Sequence, residues 1–185
     1  MPDPPQLEFG ADPETVVAKS NDLVRGRHNF STIEQRIFVA MVAQLDRDED
    51  TFSLQSVPIR KVSSETNESD LYRRIDNITD RLLDRVIEIR AQDEQGREEQ
   101  FVKYNVFSRC QYDRGSGVVK AKFTEDMRPF LLRLKEKFTL YLITVFLRLR
   151  SKYSTQIYEL LKMRQGLRRY VGHWLWRKST PAFPH

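Results

Sequence analysis

Arg148, Arg150 and Lys152 alternate along RLRSKYSTQIYELLK, a stretch that then takes up helical spacing. Cations in such a pattern make no bonds by themselves; they suit the phosphates of a polyanion. A second group, Arg73, Arg74, Asn77 and Arg81, falls on the polar side of an apolar repeat. A third, Lys120 and Lys122, alternates with Val119, Ala121 and Phe123 and faces outward from a strand. Residues suited to covalent or metal chemistry are scattered by comparison. His28, His173 and His185 are isolated, and neither a phosphate loop nor a dinucleotide-binding glycine pattern occurs. Cys110 points inward on a predicted strand, where a small buried hydrophobe is the plainer reading than a nucleophile without a base. The sequence therefore predicts a protein that is not an enzyme and uses no cofactor and no metal.

Charge is unevenly distributed along the chain. Through Met127 there are 18 Lys/Arg against 24 Asp/Glu; from Arg128 there are 13 against 2. Such segregation builds a field that attracts polyanions to one part of the molecule, with nucleic acid as the leading partner. A basic face that only keeps the protein in solution is the bland alternative. The 185 residues suffice for one core, and 39% hydrophobic content argues against disorder throughout. A lone cysteine and an N-terminus without the order of a signal peptide predict a cytoplasmic protein. The apolar run 140–147 is far short of the ~20 residues that span a bilayer, so no membrane partner is expected.

The elements that must hold these cations can be placed from period and punctuation. Four prolines in the first 13 residues predict a disordered arm over 1–13, and the domain is expected over 14–165. The segment through Gly26 fits a short helix or a strand equally. Ser31 and Glu34 have capping-box spacing, and Ile33, Ile37, Met41 and Leu45 follow at helical intervals. The acidic DRDED run reads as a solvated turn. A short helix from about Pro58, a polar turn near Asn67 and a longer helix carrying Leu71, Ile75, Ile78, Leu82 and Val86 inward make a helix-turn-helix candidate. Its exposed arginines alternate with Asp76, Asp80 and Asp84, so a face of solvated ion pairs explains them as simply as a DNA-reading helix.

After Val86 the period changes to two. Three strands are predicted, around Ile87, from Val102 to Tyr112 and around Val119, joined by glycine-bearing turns. Thr124 is a plausible cap for a helix broken or begun at Pro129. Residues 138–143 read as a buried strand followed by a short helical turn. The last helix, capped by Ser151 or Ser154, is expected to lock onto the core through Tyr153, Ile157, Leu160 and Leu161. Helices followed by a small antiparallel sheet give an α+β class, a winged helix-turn-helix domain with an irregular tail over 166–185.

Three stretches together resemble the initiator replication proteins of iteron-containing plasmids. VVAKSNDLVRGRHNFSTIEQRIFVAMVAQL carries K-S-N-D-L and then E-Q-R; LYRRIDNITDRLLDRVIEI carries a helix into a strand. KFTLYLITVFLRLRSKYSTQIYELLK is the most specific block, with Phe138, Thr139, Tyr141, Leu149, Ser151, Tyr153, Ser154, Tyr158, Glu159, Leu160 and Leu161 at the expected places. The resemblance implies two winged-helix domains in tandem, the first dimerising and touching the DNA backbone, the second reading repeated bases. It further implies double-stranded origin DNA, a homodimer and host replication proteins as partners. Only the first domain is matched, and GLRRYVGHWLWRKSTPAFPH departs from the pattern, so a truncated or frameshifted form is expected. Two other readings remain open: a winged-helix transcription regulator, and a dimerisation module that sequesters a full-length initiator.

Overall fold

The computed structural model describes residues 15–178 except 47, 64–67, 93, 94, 96 and 136; over 68–73, 91, 92, 98, 99 and 167–178 it describes the backbone alone. The expected arm over 1–13 and the turn at Asn67 lie outside the described residues. The ambiguous first segment is both structures in succession, a strand β1 (Val16–Ser20) and a helix α1 (Asn21–Arg25). Ser20 caps that helix, its Oγ accepting from the Leu23 N–H at 3.1 Å. Gly26 ends it where the chain passes close to the sheet: a Cβ there would meet Ile87 Cγ2 at 2.7 Å. A two-residue strand β2 (Arg27–His28) follows.

Helix α2 (Thr32–Val42) has the expected capping box, with the Ser31 N–H donating to Glu34 Oε2 at 2.9 Å and the Glu34 N–H to Ser31 Oγ at 3.4 Å. It is not amphipathic, however. Every residue from Glu34 to Val42 is buried, which is the mark of a helix enclosed by its neighbours. Strand β3 (Gln55–Pro58) leads into α3 (Ile59–Val62), and α4 (Glu68–Leu83) buries Ile75, Ile78 and Leu82 as the spacing predicts.

The sheet departs from a single three-strand meander. Four strands follow α4, namely β4 (Val86–Gln92), β5 (Glu98–Asn105), β6 (Phe107–Asp113) and β7 (Val118–Phe123). They divide between two antiparallel sheets, ordered β2-β4-β5 and β3-β7-β6. The expected strand from Val102 to Tyr112 breaks at Val106. Val106 and Phe107 are both buried, so the alternation slips by one and the chain changes sheet. A bulge between Phe107 and Arg109 marks the slip. The Val106 N–H donates to Arg85 O at 3.1 Å, and its carbonyl accepts from the Thr124 N–H at 3.0 Å. In β7, Val119, Ala121 and Phe123 are buried, as expected. The β6–β7 hairpin turns at Gly117, whose φ of 66° favours glycine.

Beyond the sheets, Thr124 does not cap: its hydroxyl donates to Asn105 O at 2.6 Å, and a 3-10 turn over Glu125–Met127 runs into α5 (Arg128–Leu131). Strand β8 (Phe138–Leu142) pairs with β1 as a two-stranded ribbon, with Val17 opposite Tyr141. Then come α6 (Ile143–Arg148) and α7 (Lys152–Lys178). Ser151 caps α7, accepting from the Ser154 N–H at 3.1 Å.

The backbone of α7 stays helical to Lys178. Gly166 costs only about 1 kcal/mol against alanine, and no proline intervenes before Pro181. One expectation about this helix is corrected, because it faces the other way. Tyr153, Ile157 and Leu161 are 65%, 57% and 58% exposed and Leu160 39%, whereas Thr155, Glu159 and Met163 face inward. The core they approach is aromatic at its centre, where Phe38 and Phe107 both pack on the Phe123 ring, at 5.9 Å and 5.0 Å between centroids.

Candidate nucleic-acid interface

Apart from the exposed Asp22, the polar residues of the two short motifs are inside the molecule. Lys19, Ser20 and Asn21 are buried, as are Glu34, Gln35 and Arg36. Each finds a partner, most of them from a distant element, as buried polar groups must. Lys19 Nζ lies 2.5 Å from Glu159 Oε1, and the Tyr141 phenol donates to that same oxygen. Burial first, and then the Glu159 carboxylate, push the Tyr141 pKa well above the usual phenol range. Asn21 Oδ1 accepts from Thr139 Oγ1 at 2.7 Å, and Gln35 Oε1 accepts from Thr155 Oγ1 at 2.5 Å. Glu34 receives both Nε and Nη2 of Arg85, at 2.8 and 3.0 Å. The links from Glu159 to Lys19 and Tyr141 and from Thr155 to Gln35 join α7 to the ribbon and to α2.

His28 borders the network, its ring 4.8 Å from Phe30 and its Nδ1 buried without a hydrogen bond. Burial, helped by Lys19, lowers its pKa to about 4. Arg36 holds two segments together. Its Nη1 donates to Val62 O at 3.1 Å, at the end of α3, and its Nη2 donates to Leu149 O at 2.8 Å. Burial pulls the Arg36 pKa below its ordinary value.

Those two carbonyls border the two leading groups of predicted cations. Leu149 separates Arg148 from Arg150, both exposed, and half-buried Lys152 opens α7 with its Nζ 5.3 Å from the Tyr153 ring. Val62 ends the first helix of the helix-turn-helix pair, whose second helix exposes Arg74, Asn77 and Arg81. Arg73 lies on α4 with its side chain outside the described residues. The sequence reading missed two participants. Arg36, in a run that looks like an ordinary helix face, is the tie between the two segments. Arg114, in the DRGSG turn, pairs with Asp76 at 3.0 Å and links the hairpin tip to α4. Lys120 and Lys122 sit on β7 as predicted, Lys122 within 4.0 Å of Glu125. Among the described residues no hydrogen bond or ion pair joins those two lysines to α4 or to 148–152.

Arginines presented at a helix-turn-helix and at an adjoining loop can hold phosphates by charge-assisted hydrogen bonds. Among the described residues, no group of histidine, cysteine and carboxylate side chains could hold a metal ion, and no helix is long and apolar enough to cross a membrane. Burial pushes the half-buried Cys110 thiol up to about 11, which keeps it protonated.

Comparison with known structures bears on the fold. The Pi initiator protein, solved in complex with iteron DNA, superposes with a TM-score of 0.62 at 22% identity over 83% of this chain. This chain spans 65% of the length of that one. The WH1 domain of MSBI1.176, a replication protein isolated from a multiple sclerosis patient, matches at 15% identity and a TM-score of 0.39, over 54% of this chain and 76% of the other. No curated protein matches. Residues 16–162 match the family described as initiator replication protein, WH1. With that match across most of its length and the winged-helix architecture of its α3–α4 pair and hairpin, the chain belongs to the initiator replication protein family, as its first winged-helix domain.

Proposed function

We propose that this chain acts in plasmid replication initiation by binding double-stranded origin DNA mainly through phosphates, without catalysing a reaction itself. The observation that carries this reading is the Arg36 tie, which holds the Arg148–Lys152 segment and the entry to α4 against one buried side chain. Arg148, Arg150 and Lys152 on one side, with Arg73, Arg74, Asn77 and Arg81 on the other, then serve one duplex. The family and the DNA-bound Pi structure support this reading. Lys120 and Lys122 on β7 are assigned a peripheral part.

The chain also self-associates in this proposal and meets host replication proteins in the cytoplasm. Support for self-association comes from the outward stripe of Tyr153, Ile157, Leu160 and Leu161 on α7, an apolar surface of the kind that marks protein contacts. A second reading, a regulator that reads bases with α4, draws on the exposure of Arg74 and Asn77. Substituting Arg73 and Arg74 together by glutamine separates the two in a duplex-binding assay. Uniform weakening across sequences fits phosphate contact; relaxed sequence preference fits base reading and contradicts the proposal.

A further inference from the structure

A cleft of about 240 Å³ opens between the first turn of α2 and the flank of α4. Arg74 and Arg81 stand on its α4 side with Ile78 between them, Ser31 and Ser63 contribute hydroxyls, and Arg36 lines it from the interior. By the ~30 Å³ that a water molecule occupies in the liquid, this is room for a tetrahedral anion with part of its hydration shell.

The charge behind this cleft sits on Arg36. Arg36 is 4% exposed, its Nη1 and Nη2 go to neutral carbonyls, and its Nε has no hydrogen bond. No carboxylate pairs with it among the described residues. A buried cation without a counter-charge is unfavourable by itself, and an arriving anion relieves it. The one acid in the wall among the described residues is already engaged: Glu34 accepts from Arg85 through both oxygens, and its Oε2 also accepts from the Ser31 N–H. The eleven-residue helix α2 presents its N-terminal end to the same space, where the helix dipole favours negative charge.

We propose that this cleft is a seat for one phosphate group, which Arg74 and Arg81 grasp from α4 while buried Arg36 supplies the compensating charge behind it. The group is a phosphodiester of the DNA backbone, and in that respect the inference rests on the DNA-binding reading above. An occupied seat would fix how the duplex lies relative to α4, since phosphate contacts set register and orientation.

The test is a titration of the full chain, labelled with 15N, first with inorganic phosphate against chloride at matched ionic strength and then with a random-sequence duplex. The amides of Thr32 and Ile33 and the side-chain Nε–H signals of Arg74 and Arg81 should move with phosphate, not with chloride, and should move again with duplex. Arg81→Gln, a change at an exposed position, should weaken phosphate binding roughly tenfold, the loss of a charge-assisted hydrogen bond. Lys103→Gln, of equal charge change on β5, should leave it unaltered. Duplex binding with these signals unmoved would overturn the seat and leave the DNA-binding reading standing. Phosphate saturation without duplex binding would overturn the phosphodiester assignment together with that reading. Equal movement with chloride would overturn the seat as a phosphate site.

Discussion

Lys19 on β1 and Glu159 on α7 form an ion pair at 2.5 Å with both side chains buried, and the Tyr141 phenol from β8 donates to the same carboxylate oxygen. One carboxylate thus joins three elements drawn from opposite ends of the chain. Breaking the pair leaves an uncompensated charge in the interior. Glu159→Gln is expected to destabilise the fold by about 3–5 kcal/mol, whereas replacing both partners by apolar residues, Lys19→Met with Glu159→Leu, should recover most of the loss. Urea unfolding of the single and double variants checks this. A single variant as stable as the wild type would show that the network does not hold α7 in place.

Stability should also fall on mild acidification through His28. Its folded pKa of about 4 lies below its ordinary 6.5, so the unfolded chain binds the proton more readily. The contribution is therefore complete above pH 6.5 and declines as pH drops from there towards 4, by about 2–3 kcal/mol in all. His28→Gln, measured by chemical unfolding across that interval, should flatten the slope.

Much of this architecture was legible in the sequence because it is written in local pattern. The Ser31 and Glu34 capping box, the buried spacing of Ile75, Ile78 and Leu82, and the alternation of Val119, Ala121 and Phe123 all appear where period and punctuation put them. What escaped is what depends on distant partners. A helix such as α2, enclosed on all sides, hides Glu34, Gln35 and Arg36 in a pattern that looks solvated, and only Arg85, Thr155, Val62 and Leu149 explain their burial. The same cause inverted α7. Ile157 and Leu161 have the hydropathy of a core face, yet the helix turns Thr155 and Glu159 inward because hydrogen-bonding partners wait there. Of the candidate site, the exposed cations were legible from charge alone; the arginine that ties their segments together was not.

That inversion carries its own prediction. Ile157→Glu and Leu161→Glu together should change folding stability by no more than about 0.5 kcal/mol, as surface substitutions do, while reducing self-association seen by sedimentation velocity. A loss of several kcal/mol would return these residues to the core and contradict the orientation of α7.

The end of α1, where it meets β4, offers a further check. Gly26→Ala puts a methyl 2.7 Å from Ile87 Cγ2 at a backbone φ of −55°, so the cost is crowding and not backbone strain. About 1–3 kcal/mol is expected, and Ile87→Leu in the same chain, which takes the Cγ2 methyl off Cβ, should relieve part of it. Thermal unfolding of the single and double variants measures both.

The central claim, that the chain grips duplex DNA by its phosphates, is tested most directly by its affinity for a repeat-bearing origin duplex and for a random duplex as salt is raised. Comparable affinities and a steep linear fall of log affinity with log salt are predicted. Replacing Arg148, Arg150 and Lys152 by glutamine should flatten that slope by about 0.9 for each phosphate that is no longer neutralised. Binding insensitive to salt, or strongly selective for the repeats, would contradict it.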